Sequence, residues 1–239
     1  MTITDTGYAG SALPEVTLAD LDEDPEIVRL RQQSLSARIR MSLVNMREAT
    51  RMLLDDQPSE QRLLFFVLLS DIIFFLNFGV KFVVAPPEDM NSGMPANFAE
   101  MIGGILVICF LLRTATLYMF SGVVAGICRI MGGRGTWRDT RAGIFWASLV
   151  AAPIGVLGAL LVVGLGYLEP HFPLAGSQLL QMPAQLIGVV AFVYFVSAAV
   201  AEAQQYTRTS PLFIAFSALS LTILLAAIFL ADMARSALA

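Results

Sequence analysis

Two charged residues stand where charge is costly: Asp71 within LLFFVLLSDIIFFLNFGVKFVV (63–84) and Arg113 within IGGILVICFLLRTATLYMF (102–120). An ionisable group in a long apolar run turns towards protein or water by default. If the two runs are antiparallel helices, Asp71 and Arg113 differ in depth by about 5 Å, within reach of an arginine side chain. Two chemistries fit such a pair: a structural bridge between helices, or a step in an ion or proton path. Without a chain of further acids, the bridge is the favoured reading.

Other reactive residue types form no comparable constellation. His171 lies beside Pro170 and Pro173 with no second ligand near it, so no metal is expected. Cys109 and Cys128 share one apolar run, about 28 Å apart if helical, too far for a disulfide. The stretch GGRGTWRDTR (132–141) pairs glycine with arginine, but no strand precedes it and no Lys-Ser/Thr follows. It reads as a turn between helices with a basic face formed by Arg134, Arg138 and Arg141, and not as a phosphate cradle. No Gly-x-Ser-x-Gly elbow, no paired carboxylates at a usable spacing and no cofactor fingerprint are present. The expectation is therefore a protein that is not an enzyme, with no cofactor and no evident small-molecule substrate.

The elements that position these residues follow from hydropathy. Of 239 residues, 56% are hydrophobic and only 14% charged, a balance foreign to soluble domains. Five apolar segments, at about 63–84, 102–127, 144–165, 186–201 and 212–231, each approach the roughly 20 residues that cross a bilayer. The expected fold is all-α: an integral membrane bundle of five transmembrane helices, occupying 62–239, behind an amphipathic cytosolic helix.

That leading part divides in two. Residues 1–24 are acidic and lack periodic apolar positions, which predicts a disordered tail; Asp5, Glu15, Asp20, Asp22, Glu23, Asp24 and Glu26 face no basic residue before Arg29. Residues 25–61 form an amphipathic segment, helical from Pro25 to Leu54 with Asp24 as N-cap. Ile39, Leu43, Met46 and Leu53 share one face, and Arg40, Arg47 and Arg51 fall away from it. Such a helix either lies on the membrane with arginines at anionic headgroups or packs on the protein's own loops. No secretory leader is visible in the first 24 residues, so targeting falls to the first span.

Arginine placement orients the bundle. With the N-terminus inside, the cytosolic flanks hold Arg47, Arg51, Arg62, Arg129, Arg134, Arg138, Arg141 and Arg208, against Arg235 and the marginal Lys81 outside. The positive-inside rule then places the C-terminus outside. Lys81 and Glu100 are expected to meet at the outer headgroups, a contact worth little when exposed. Glu202, ending the fourth span, is expected to face the arginines of the 132–141 loop. The chain has one lysine and no basic cluster shaped for a nucleic-acid backbone, so nucleic acid is not an expected partner.

In the third span Gly143, Ala147, Ala151, Gly155 and Ala159 recur every fourth residue, a strip without bulk along which helix backbones can approach in lipid. Pro153 beside it is expected to kink this helix, the predicted hub of the bundle.

The order of these features resembles the bacterial branch of the Yip family, the Rab/Ypt-interacting-protein-like membrane proteins. The specific residues are GGRGTWRDTRAGIFWASLVAAP (132–153) and Ala201-Glu202-Ala203, within a likeness spanning Met41 to Thr209. The resemblance implies a five-helix domain with a cytosolic N-terminus and a place in the bacterial cytoplasmic membrane. Eukaryotic members are associated with small GTPases and vesicle formation, but their Asp-Leu-Tyr-Gly-Pro signature is absent, and Asp71-Ile72-Ile73-Phe74 stands in the first span. GTPase binding is therefore not carried over. The expected function is a scaffold or accessory subunit of a larger membrane complex, with a membrane protein or a second copy as partner; the alternative is a small transporter or channel using Asp71 and Arg113.

Overall fold

The computed structural model describes residues 34–84 and 98–238. The acidic tail, the start of the leading helix at Pro25 and the first outer loop lie outside these residues, as do the side chains of Lys81 and Glu100. Every element among the described residues is helical: α1 (Leu35–Val44), α2 (Met46–Asp55), α3 (Glu60–Val84), α4 (Phe98–Val107), a π-helical turn (Ile108–Leu112), α5 (Arg113–Ile130), α6 (Trp137–Leu168), a short 3-10 turn (Pro173–Gly176), α7 (Gln178–Ala203) and α8 (Ser210–Leu238). Four helical stretches are long and apolar enough to cross a membrane: Ile102–Ile130, Trp137–Leu168, Leu179–Ala203 and Ser210–Leu230. The helix carrying Asp71, α3, is 25 residues long.

The leading helix is not continuous. Asn45 leaves helical geometry at φ −139° and ψ 83°, and its side chain accepts a hydrogen bond from the Glu48 amide, capping α2. Asparagine does this because its short carbonyl satisfies an orphan N–H of the first turn. The break divides the expected common face: Met46 and Leu53 are buried, whereas Leu43 is 47% exposed. The buried residues of α2, Met46, Ala49, Thr50 and Leu53, pack on α6 and α7, so this face meets the bundle and not headgroups.

Helix α6 begins well before its apolar run. Thr136 and Asp139 form a reciprocal capping box, the Thr136 hydroxyl accepting from the Asp139 amide and the Asp139 carboxylate accepting from the Thr136 amide. The helix then runs unbroken through Pro153. All residues from Thr140 to Ala151 are buried, and α6 touches α1, α2, α3, α5 and α7. Trp146 packs edge-on to Phe66 at 5.1 Å between ring centres and Phe145 to Tyr118 at 4.8 Å. The Trp146 indole donates to the Ser42 hydroxyl at 3.0 Å, fastening α1 to the hub.

Burial is one-sided along the bundle. The core gathers towards the end where α1, α2, the 131–136 turn and the 204–209 turn meet, here called the base. Away from the base, Leu, Ile, Val and Phe side chains point outward, and α8 presents Ile223, Leu225, Ile228, Phe229 and Leu230 more than half exposed. Such a surface is costly in water and matches a lipid environment.

Candidate functional site

Where α3, α5 and α6 cross, the polar residues of three apolar helices converge. The Arg113 guanidinium donates from Nη1 to Asp71 Oδ1 and from Nη2 to Ser70 Oγ at 2.9 Å and Ser148 Oγ at 2.8 Å. The Thr114 hydroxyl donates to Asp71 Oδ2 at 2.6 Å, and the Ser70 and Ser148 hydroxyls lie 2.9 Å apart. Asp71 is fully buried and Arg113 19% exposed, with its guanidinium 4.9 Å over the Phe74 ring. Both carboxylate oxygens and both terminal guanidinium nitrogens thus have partners, which is the condition for keeping an ion pair out of water. The π-helical turn Ile108–Leu112 immediately precedes Arg113; one such wide turn re-aims the residues after it and is frequent at functional positions. Sequence reasoning missed Ser70, Thr114 and Ser148, because a hydroxyl in an apolar helix is common and reveals its partner only through packing.

Beside this cluster lies a cavity of about 410 Å³ between α3, α5, α6 and α7. Arg113, Asn77, Ser148 and Gln185 contribute its polar wall, and Phe74, Leu117, Val189 and Phe192 part of its apolar one. The Asn77 Oδ1 atom is buried without a hydrogen-bond partner.

The small-residue strip on α6 divides between two tasks. Ala147, Ala151 and Ala159 are buried, and a Cβ at Gly143 would stand 3.3 Å from the Ala199 carbonyl oxygen of α7, so the backbones approach closely there. At Gly155 a Cβ would meet nothing, because that position opens on the cavity. The close approach farther from the base belongs to residues the period-four reading left out: a Cβ on Gly158 would come within 2.9 Å of the Ala184 carbonyl oxygen, and one on Gly188 within 2.9 Å of the Gly155 Cα.

The base is the second ordered site. Gln204, just past α7, is buried and joins three elements: its side-chain carbonyl accepts from the Gly135 amide at 3.2 Å, its amide donates to Thr140 Oγ1 at 2.6 Å, and its backbone carbonyl accepts from Arg134 N at 3.2 Å. A Cβ on Gly135 would overlap the Ala203 carbonyl, which is why this loop needs glycine there. The chain leaves α7 through Gln205 at φ 58°, with Tyr206 N–H closing onto the Ala201 carbonyl and Gln205 N–H onto that of Glu202. The Tyr206 hydroxyl donates to the Cys128 carbonyl, and burial first, then the neighbouring Cys128, push this phenol above its ordinary range.

Two placements differ from expectation. Glu202 does not face the 132–141 loop; its carboxylate accepts from Arg47 at 2.9 Å and Arg51 at 2.7 Å, both on α2. Its hydrogen bond and charge raise the Arg51 pKa and keep that side chain protonated. Arg47 also donates to the Tyr206 and Thr207 carbonyls, so α2 is the strap across the end of α7. The packing of α2 on α7, invisible in linear order, brings these arginines nearer. Arg141 is not a surface group either: it is 8% exposed, donates to Glu60 and stacks on Trp137 at 4.8 Å and Tyr118 at 5.4 Å. The capping box starts the helix early enough to carry Arg141 inward. Arg134 and Arg138 remain exposed, with Arg138 donating to the Pro58 carbonyl at 3.1 Å. No group of three or more metal-ligating side chains occurs among the described residues.

Long apolar helices with lipid-type surfaces, tied by a buried polar cluster, define a helical integral membrane protein. A family model described as Yip1 domain matches residues 41–231. The chain belongs to the Yip1 domain family. No curated protein and no solved structure matches it.

Proposed function

We propose that this chain is a non-catalytic organiser of the membrane, acting as a scaffold or as an accessory subunit that docks beside a larger membrane complex. In this reading five helices cross the bilayer, α3 being the first. Residues 1–24 are an acidic tail, 25–61 a leading helical segment and 62–239 the transmembrane domain, with the N-terminus in the cytosol and the C-terminus outside a bacterial cytoplasmic membrane. The observation that carries it is the distribution of charge. The deeply placed charges Asp71 and Arg113 are consumed by partners within the bundle, whereas Arg129, Arg134, Arg138 and Arg208 are exposed around the base. Charges held this way suit a structural bridge, and an exposed arginine rim suits anionic headgroups or an acidic protein surface.

The test is crosslinking and copurification of the full chain and of a form lacking residues 1–24, at matched expression. The organiser reading expects a membrane partner, or a second copy, to be recovered with the full chain and less of it with the shortened form. Recovery of no partner and no second copy by either form overturns it. The alternative, a small transporter or channel using Asp71 and Arg113, draws on the cavity beside Arg113. Solute uptake by the pure protein in liposomes, abolished in Asp71→Leu, would establish that alternative instead.

A further inference from the structure

We propose that the cavity beside Arg113 binds one uncharged, hydroxyl-bearing, single-chain amphiphile drawn from the bilayer, such as a monoacylglycerol. This inference needs only that the helices sit in lipid, and it stands or falls separately from the organiser reading.

Shape is the first argument. The cavity follows α6 from Ser148 to Ala159, about 16 Å at the helical rise. Its volume of about 410 Å³ over that length leaves a mean section on the order of 25 Å², the girth of one extended hydrocarbon chain and too little for two. Since an apolar cavity of roughly 150 Å³ accepts benzene, this one takes on the order of fifteen to twenty non-hydrogen atoms. The absence of a side chain at Gly155 opens the middle of the trough, and Val189 and Phe192 give it an apolar lining.

The second argument is charge and hydrogen-bonding capacity. Arg113 lines the cavity but is in contact with Asp71, so the pair presents no net charge. An anionic head placed beside Arg113 would meet the Asp71 carboxylate as well, and a cationic head would meet the guanidinium. Electrostatics in a low-dielectric site therefore disfavours both. Asn77 on the wall carries an amide that can donate and accept, and its Oδ1 has no hydrogen-bond partner within the protein. Gln185, across the cavity on α7, adds a further amide that can both donate and accept. A glycerol or similar neutral head answers these groups, while its chain fills the apolar trough.

The test uses the full chain in phosphatidylcholine vesicles with a monododecanoylglycerol analogue bearing a photoreactive diazirine in its chain, and maps the labelled residues. Labelling is expected at the cavity walls on α6 and α7, competed by unlabelled monododecanoylglycerol. Dodecanoate of the same chain length should compete at least about tenfold less well, a difference of about 1.4 kcal/mol. Gly155→Leu, which fills the trough, should reduce cavity labelling about tenfold, and Asn77→Leu about fivefold, with unchanged labelling of lipid-facing α8 in both. Uniform labelling of all lipid-facing helices without competition overturns the proposal. So does equal competition by dodecanoate, or wild-type labelling in a Gly155→Leu protein that keeps its thermal midpoint. Competition on the unaltered chain decides the matter even if a variant loses its fold.

Discussion

Asp71 and Arg113 differ in how much each depends on the other. Asp71 is wholly buried, and its acceptor capacity is met by Arg113 and Thr114; Arg113 is partly exposed and keeps Ser70, Ser148 and the Phe74 ring if the carboxylate is removed. Breaking a buried pair by removing one partner costs about 3–5 kcal/mol because it strands the other charge, whereas apolar replacement of both is often near neutral. Arg113→Leu, which strands the better-buried group, is expected to lose more stability than Asp71→Leu. The double variant should recover much of the larger loss. Thermal unfolding in detergent micelles measures all three, and simple additivity would show that the contact carries no coupling. The pair was legible in the sequence because charge is rare in apolar runs and helical rise fixes depth. Its hydroxyl partners were not, since each serine or threonine has several lone pairs and no periodicity announces which helix supplies the donor.

Helices α6 and α7 show what periodicity conveys and what it omits. A strip of small residues every fourth position marks a face free of bulk, yet the same absence of a side chain serves two ends: at Gly143 the neighbouring backbone moves in, and at Gly155 a cavity remains. Only the partner helix distinguishes them, and Gly188 on α7, whose Cβ would press on Gly155, was outside the period-four pattern. The two glycines should respond oppositely to alanine. Gly155→Ala adds a methyl into open space and relieves the backbone entropy of glycine in a helix, so stability should rise by about 0.5–1 kcal/mol. Gly188→Ala forces α6 and α7 apart and should lower it by about 1–3 kcal/mol despite the same helix-propensity gain. Thermal midpoints of the two purified variants read the difference. A fall at both positions would mean that Gly155 also faces packed backbone. Element ends were legible to a lesser degree for a related reason: hydropathy reports the bilayer-length part of a helix, while the capping chemistry at Thr136 and Asn45 decides where the backbone starts and stops.

At the scale of the whole molecule, the contacts at the base restrict the topology before any charge is counted. Arg47 reaches Glu202 and Thr207, Arg134 N–H reaches the Gln204 carbonyl, and Arg138 reaches the Pro58 carbonyl, so residues 47–58, 131–138 and 202–207 lie at one end of the bundle. From that end α8 departs at Ser210 and runs to Leu238, about 43 Å at helical rise, enough to cross a bilayer. The N-terminal helices and the end of α8 therefore sit at opposite ends of the bundle. Hydropathy made the long apolar helices readable from sequence, whereas the strap of α2 over α7 required the packed structure. Which side faces the cytosol rests on Arg47, Arg51, Arg62, Arg129, Arg134, Arg138, Arg141 and Arg208 at the base against Arg235 and Lys81 at the other end. Burial of Arg141 and pairing of Arg47 do not weaken that count, because the bias acts while segments insert, before the bundle packs. A reporter active only in the cytosol is expected to work when fused before Met1 and to fail after Ala239, with the reverse for a reporter active only outside. The same fluorescence or enzymatic signal at both ends would mean that α3 or α8 does not cross, and reversal of both signals would mean that the arginine-rich base faces outward.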